Sequence, residues 1–373
     1  MKKQLFTLLF GSVLGISNLC ALRPGDVAEE LSTVTWVQGE PVPMNTPDSD
    51  TMKALVFLRT RSADSAGILQ MLQALRLQYA STLQCAAITP DSPMDAAAML
   101  KESGVSNIST GTDNNFELTG KYMESFPLFP MAFLVNPAGV IVWCGEAADL
   151  PEAAADAVAG KLKTDDQRKL MEHFDQMLAA LKSGKHDLIG KLSDAALKMD
   201  PGNAGIIRLR IFDLENRFRF KEAFELLREQ IRKVPEKARL YMLALELAAR
   251  HAELEHERNE LLKELEKAEL KDEEINLITW QLLQNAFDAE ALKTAAILQK
   301  KIAREKDGIP PAQLASFDTT KALLLYRLGK VKEAYELESK LPELWQKAGL
   351  PQNAEAAQKR AEFYKAVCEL AHE

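Results

Sequence analysis

The stretch KALVFLRTRSADSAGILQMLQALRLQYASTLQCAAIT, Lys53 to Thr89, decides the fold of the first half of the chain. Lys53 to Leu58 is a short, mostly apolar run of buried-strand type, and Leu83 to Thr89 is a second. Between them, SAGILQMLQALRLQYA carries its apolar residues at helical spacing. Strand, helix of about four turns and strand make a βαβ unit. Its crossover is right-handed, so the two strands run parallel.

Working outward, a further helix is expected at Met94 to Ser103. MAFLVNPAGVIVWCG then reads as two strands, Met131 to Asn136 and Val140 to Cys144, joined through Pro137-Ala138-Gly139 as an antiparallel hairpin. PEAAADAVAGKL closes the region as a helix, so residues 22–163 read as an α/β domain with a mixed sheet. From Thr164 onward only helical patterning is left, rich in Leu, Ala, Glu and Lys with apolar residues three and four apart. Pro201 and Pro235 each follow a helical run, a spacing of 34, and FKEAFELL (Phe220 to Leu227) has a counterpart in VKEAYELE (Val331 to Glu338). This resembles the tetratricopeptide repeat, a helix pair of that period closed by proline, so residues 164–373 are expected to form a helical-hairpin array of that type.

The first 21 residues have the layout of a secretory signal: Lys2 and Lys3, the apolar run Leu5 to Ile16, then Leu19-Cys20-Ala21. Export with cleavage near Ala21 is expected, which places the mature protein in the periplasm or an equivalent exported location. A lipid anchor on Cys20 wants a small residue before it, and Leu19 is bulky. The mature chain keeps Cys85, Cys144 and Cys368, widely spaced and without a CxxC pair. No later segment has the length of a membrane span.

In all, 373 residues with a 47% hydrophobic fraction and 27% charged residues describe a folded protein of more than one domain. The net charge of −8 is concentrated in residues 22–163, with 17 acidic and 9 basic side chains, and nothing in it makes the basic surface that nucleic acid requires. His251 and His256 are five apart, off the common helix face that a metal pair needs, and His173, His186 and His372 lie apart from them. No metal or cofactor is implied, and no GxSxG, phosphate-binding glycine loop or paired-carboxylate signature is present.

Ser62 and Ser65 stand three apart where the first strand turns into its helix. Serine and aspartate are favoured helix caps, so Ser62 or Asp64 is expected to cap the helix starting near Ser65. KALVFLRTRSADSAGILQMLQAL, the later FPLFPMAFLVNPAGVIVWCG and the opening LRPGDVAEELSTVTWVQGEPV together resemble the exported thiol-disulfide oxidoreductase branch of the thioredoxin superfamily. The resemblance covers residues 22–163 and implies a thioredoxin-like sandwich. It places Ser62 and Ser65 on the two redox cysteines, Arg61 on the tryptophan before them, Val56 on the polar strand residue, and Pro130 on the cis-proline.

With both cysteines absent, the family's disulfide exchange has no nucleophile and no resolving partner. The resemblance therefore implies a degenerate redox site with no catalytic residue. Around it Arg59, Arg61 and Phe129 are the candidate groove or anion-binding residues, by their nearness to a helix N-terminus and to Pro130. Two functions are open: a non-catalytic exported protein that binds protein or peptide partners, the helical array offering one surface, or a thiol-dependent redox enzyme working through Cys85, Cys144 or Cys368.

Overall fold

A computed structural model describes residues 22–45, 50–62, 64–123, 129–235, 237–285, 288–302 and 308–370. The expected signal segment, Cys20 and His372 lie outside the described residues. The chain divides into two compact units between Asp213 and Leu214. Element type changes earlier: from Thr164 the described residues form helices without strands.

In the first unit the apolar runs become a six-stranded mixed sheet with helices packed on it. Its strands are β1 (Thr35–Gln38), β2 (Met52–Phe57), β3 (Leu83–Thr89), β4 (Ser109–Thr112), β5 (Met131–Val135) and β6 (Ile141–Glu146), in the order β1-β4-β3-β2-β5-β6. β2, β3 and β4 are mutually parallel, whereas β5 runs antiparallel to β2, and β6 to β5. The βαβ crossover is α1 (Ser65–Gln78), and the helix after β3 is α2 (Pro93–Ser103). α3 (Glu117–Met123) follows β4, and α4 (Leu150–Val158) follows β6.

β2 has helices or loops on both faces, which is why its sequence reads as a nearly continuous apolar run instead of alternating. Ala54, Val56 and Leu58 share one core with Ile68, Leu69, Leu72 and Leu75 of α1. On the opposite face Phe57 meets the rings of Tyr122 and Phe133 at centroid distances of 5.1 and 5.9 Å. The β5–β6 turn needs Gly139, whose φ is 78° and whose missing Cβ would lie 1.8 Å from Asn45 Oδ1.

One strand escapes the apolar pattern. β4 is Ser-Thr-Gly-Thr and wholly buried. Its hydroxyls find backbone acceptors, Ser109 Oγ donating to Glu40 O at 2.7 Å and Thr112 Oγ1 to Thr35 O at 3.4 Å. At Gly111 a Cβ would come within 2.2 Å of Val34 Cγ1, so β1 and its approach close directly on the β4 backbone.

Two further helices belong to this unit, α5 (Thr164–Lys182) and α6 (His186–Met199). Cys144 of β6 lies 3.1 Å from Met171 of α5, sulfur to sulfur, and Arg168 reaches Asp26 at 3.2 Å. α7 (Ala204–Asn216) carries the division between the units.

In the second unit the described helices are α8 (Phe220–Lys233), α9 (Ala238–Arg250), α10 (Glu255–Lys267), α11 (Asp272–Asn285), α12 (Ala289–Lys301), α13 (Pro311–Arg327), α14 (Val331–Glu338), α15 (Leu341–Lys347) and α16 (Pro351–Leu370). The two similar segments, Phe220–Leu227 and Val331–Glu338, open α8 and form α14. Ala223 and Phe224 of α8 and Ala334 of α14 are fully buried.

Lys53 breaks the apolar logic of β2. Its side chain is 1% exposed, and its Nζ has no hydrogen-bond partner among the described residues. Burial pushes its pKa below the usual lysine value, while the nearby Glu30 charge pulls the other way. A lysine with a depressed folded pKa costs stability in full below its folded value, and that cost shrinks as pH rises from there to the unfolded value. Lys53→Met is expected to stabilise the first unit by about 1–3 kcal/mol at pH 7, because an unpaired buried amine is replaced by an apolar side chain. Denaturant unfolding should show that advantage narrowing toward pH 10; a destabilised variant would mean that Lys53 makes a favourable contact.

Candidate functional site

Because β2, β3 and β4 are parallel, the loops that follow them meet at one edge of the sheet, where open α/β folds gather ligands. The antiparallel β5 begins at that same edge, so residues 59–62, 64–65, 90–92, 113–116 and 129–130 converge there. Arg59, Arg61, Ser62, Ser65, Phe129 and Pro130, the residues singled out in the sequence, all fall in this set.

The turn into α1 is built by backbone. Ser62 N donates to Arg59 O and Ser65 N to Ser62 O, both at 3.2 Å. Ser62 is exposed at the tip of the turn. Ser65 is 1% exposed, and its Oγ donates back to the Arg59 carbonyl. The expected cap takes a different form. Asp64 occupies the cap position at φ −87°, ψ −13° and makes no side-chain capping bond. A capping side chain needs extended backbone to reach over the first turn, and Asp64 is already helical. One helix along, Ser92 is extended and does cap: Asp95 N donates to Ser92 Oγ at 3.1 Å, and Ser92 Oγ donates to Asp95 Oδ2 at 2.7 Å. These two bonds through the Ser92 hydroxyl fix the start of α2.

Asp91, in the loop between β3 and α2, organises the edge. Its Oδ2 accepts from Thr60 N at 2.7 Å, Thr60 Oγ1 at 2.8 Å and Thr89 Oγ1 at 3.2 Å, and its Oδ1 accepts from Arg59 Nη1 at 2.7 Å. Burial alone would raise its pKa. The Thr60 amide, the Arg59 side chain and the Thr60 hydroxyl outweigh that and hold it below the usual carboxylate value. Asp95 is likewise held low, by the Ser92 hydroxyl and then by Arg61, whose Nη2 lies 3.3 Å from Asp95 Oδ1.

Each candidate arginine therefore carries its own carboxylate. An anion arriving at Arg59 and Arg61 meets Asp91 and Asp95 there already. The Arg59 guanidinium also lies over two rings, 5.3 Å from the centroid of Phe116 and 5.1 Å from that of Phe129. Phe116 takes a left-handed backbone, φ 56°, rare for an aromatic residue. The Phe129-Pro130 peptide is cis, at the position where the resemblance expects it.

Val56, where the resemblance would have a polar strand residue, is fully buried among apolar side chains. The described cysteines lie elsewhere, all of them free. Cys85 is fully buried on β3, and burial pushes its thiol up to about 12. Cys144 is on β6, three strand steps from β3 in the sheet order, about 14 Å at ordinary strand spacing and beyond disulfide reach. Cys368 is on α16 in the second unit.

Among the histidines, His186 Nδ1 lies 2.6 Å from Asp213 Oδ1, and His251 Nε2 lies 2.7 Å from Glu215 Oε1 with its ring stacked on Phe220. Among the described residues no group of three or more His, Cys, Asp or Glu side chains is placed to hold a metal ion. No described helix is long and apolar enough to cross a membrane.

No protein family and no curated protein matches the sequence. Several solved structures resemble part of the chain. A candidate protein disulfide isomerase from Bacteroides thetaiotaomicron is 18% identical, over 39% of this chain and 94% of that one, with a TM-score of 0.33. A thiol peroxidase from Chromobacterium violaceum is 19% identical over 37% and 88% of the two chains, at 0.31. A candidate thiol:disulfide interchange protein, DsbE, from Chlorobium tepidum is 18% identical over 38% and 99%, also at 0.31.

Asp91→Asn is expected to destabilise the first unit by about 1–3 kcal/mol at pH 7, since charge-assisted bonds to Arg59 and Thr60 are weakened. A carboxylate with a depressed folded pKa contributes stability above its unfolded value and loses it as pH falls through the folded one. Unfolding curves of wild type and variant should therefore converge in acid; a gap that is constant with pH would contradict the assignment.

Proposed function

We propose that this chain is a non-catalytic exported protein, a thioredoxin-like domain with a degenerate redox site followed by a tetratricopeptide-like helical array, and that it binds protein or peptide partners in the cell envelope. The observation that carries this reading is the occupancy of the two redox positions. Ser62 is an exposed hydroxyl at the tip of the turn, and Ser65 is buried with its hydroxyl given to the Arg59 carbonyl. Neither group ionises at neutral pH or forms a disulfide, so no thiolate stands at the helix N-terminus where such chemistry is activated.

The rest of the edge is organised for holding instead of exchanging: paired charges, two aromatic rings and a cis-proline. Cys85 is a poor substitute nucleophile, since a thiol pushed up to about 12 yields almost no thiolate at neutral pH. Export rests on the signal-like first 21 residues, and the second binding surface rests on the general behaviour of stacked helical hairpins.

Two assays on the purified mature chain test the proposal. Thiol titration at pH 7 should leave Cys85 unreacted until the protein unfolds, and insulin reduction should proceed at the uncatalysed rate. Turnover abolished by Cys85→Ser, Cys144→Ser or Cys368→Ser would replace this reading with that of a redox enzyme. Affinity capture from an envelope fraction, with the full chain as bait, should return a specific protein partner.

A further inference from the structure

We propose that Phe116, Phe129 and Asp91 form a clamp for the arginine side chain of a partner peptide, and that Arg59 occupies this clamp in the free protein as a built-in competitor. The geometry around Arg59 is that of a bound guanidinium: it lies over two rings, at 5.3 and 5.1 Å from their centroids, with one carboxylate oxygen at 2.7 Å. Two aromatic faces and an anion recognise a flat, delocalised cation better than an ammonium, because guanidinium stacks on rings and directs its N–H groups in its own plane.

The clamp is assembled without help from the group it holds. Asp91 is fixed through Oδ2 by Thr60 N, Thr60 Oγ1 and Thr89 Oγ1, which leaves Oδ1 turned to Arg59. Phe116 is set by the loop after β4, where its N–H donates to Asp113 O at 3.1 Å and its carbonyl accepts from Gly120 N at 2.8 Å. Phe129 is set by the entry to β5.

Arg59 itself is anchored through its backbone carbonyl, which accepts from both Ser62 N and Ser65 Oγ. Its side chain is 43% exposed. A long, half-exposed side chain can leave the clamp without unmaking the turn, and what it leaves behind is a net negative charge beside two rings. This places the ligand chemistry, a guanidinium, at the site where the preceding section places a partner; it rests on that reading only for the source of the arginine.

If Arg59 fills the clamp nine-tenths of the time or more, an incoming arginine binds wild type about tenfold or more weakly than it binds the vacated clamp. Calorimetric titration of full-length protein with Gly-Gly-Arg-Gly-Gly tests this, with Gly-Gly-Lys-Gly-Gly as control. Arg59→Ala should gain at least about tenfold affinity for the arginine peptide over wild type, and should prefer it over the lysine peptide. Adding Phe129→Leu, which leaves the carboxylate intact, should remove most of the gain; adding Asp91→Asn should remove it all in a variant whose circular dichroism is unchanged.

Equal affinity of wild type and Arg59→Ala would overturn the proposal, as would a gain indifferent to both Phe129 and Asp91. The two readings fail separately. An arginine-binding Arg59→Ala beside a wild type that captures no envelope protein leaves the clamp standing and removes the partner, whereas capture together with an inert Arg59→Ala removes the clamp alone.

Discussion

One carboxylate holds the loop edge of the first unit together. Asp91 collects the backbone N–H and hydroxyl of Thr60, the hydroxyl of Thr89 and the guanidinium of Arg59, and so ties the loop after β2 to the loop after β3. Those loops are neighbours because β2 and β3 pair in parallel register from Met52–Leu83 to Phe57–Ile88. Removed from that setting, Arg59 would swing in solvent and the turn carrying Ser62 would lose its lateral support. The position of Ser62 and Ser65 is thus a consequence of strand pairing fixed by a single charged group.

The same constraint explains the character of the site. Where the resemblance implies a reactive thiol beside a helix N-terminus, this chain has spent its local charges on each other: Arg59 with Asp91, Arg61 with Asp95, and Asp95 also with Ser92. A surface of satisfied ion pairs flanked by Phe116 and Phe129 offers shape and aromatic area and no activated nucleophile. The proposed recognition of a partner draws on that shape and aromatic area.

Much of the fold was legible in the sequence because apolar runs and turn residues announce it. β2, α1, β3, α2 and the β5–β6 hairpin follow from Lys53–Leu58, the helical spacing after Ser65, Leu83–Thr89 and Pro137-Ala138-Gly139. β4 was illegible, since Ser-Thr-Gly-Thr buries hydroxyls satisfied by backbone carbonyls that sequence does not pair with them. The cap at Asp64 failed for a conformational reason, a helical backbone at the cap position, which composition cannot reveal.

The clamp lay further out of reach, because Arg59, Asp91, Phe116 and Phe129 come from four loops. Only Arg59 and Phe129 carried a signal, through their closeness to the serines and to Pro130. The central claim is that this edge meets a partner without exchanging disulfides, and a photo-crosslinking amino acid in place of exposed Ser62, compared with one in place of exposed Leu77 on α1, addresses it most directly. The account predicts a discrete adduct with an envelope protein or peptide from position 62, stable to reducing agent and absent from position 77. Equal adducts from both positions, or none from position 62 while a partner is still captured, would contradict it.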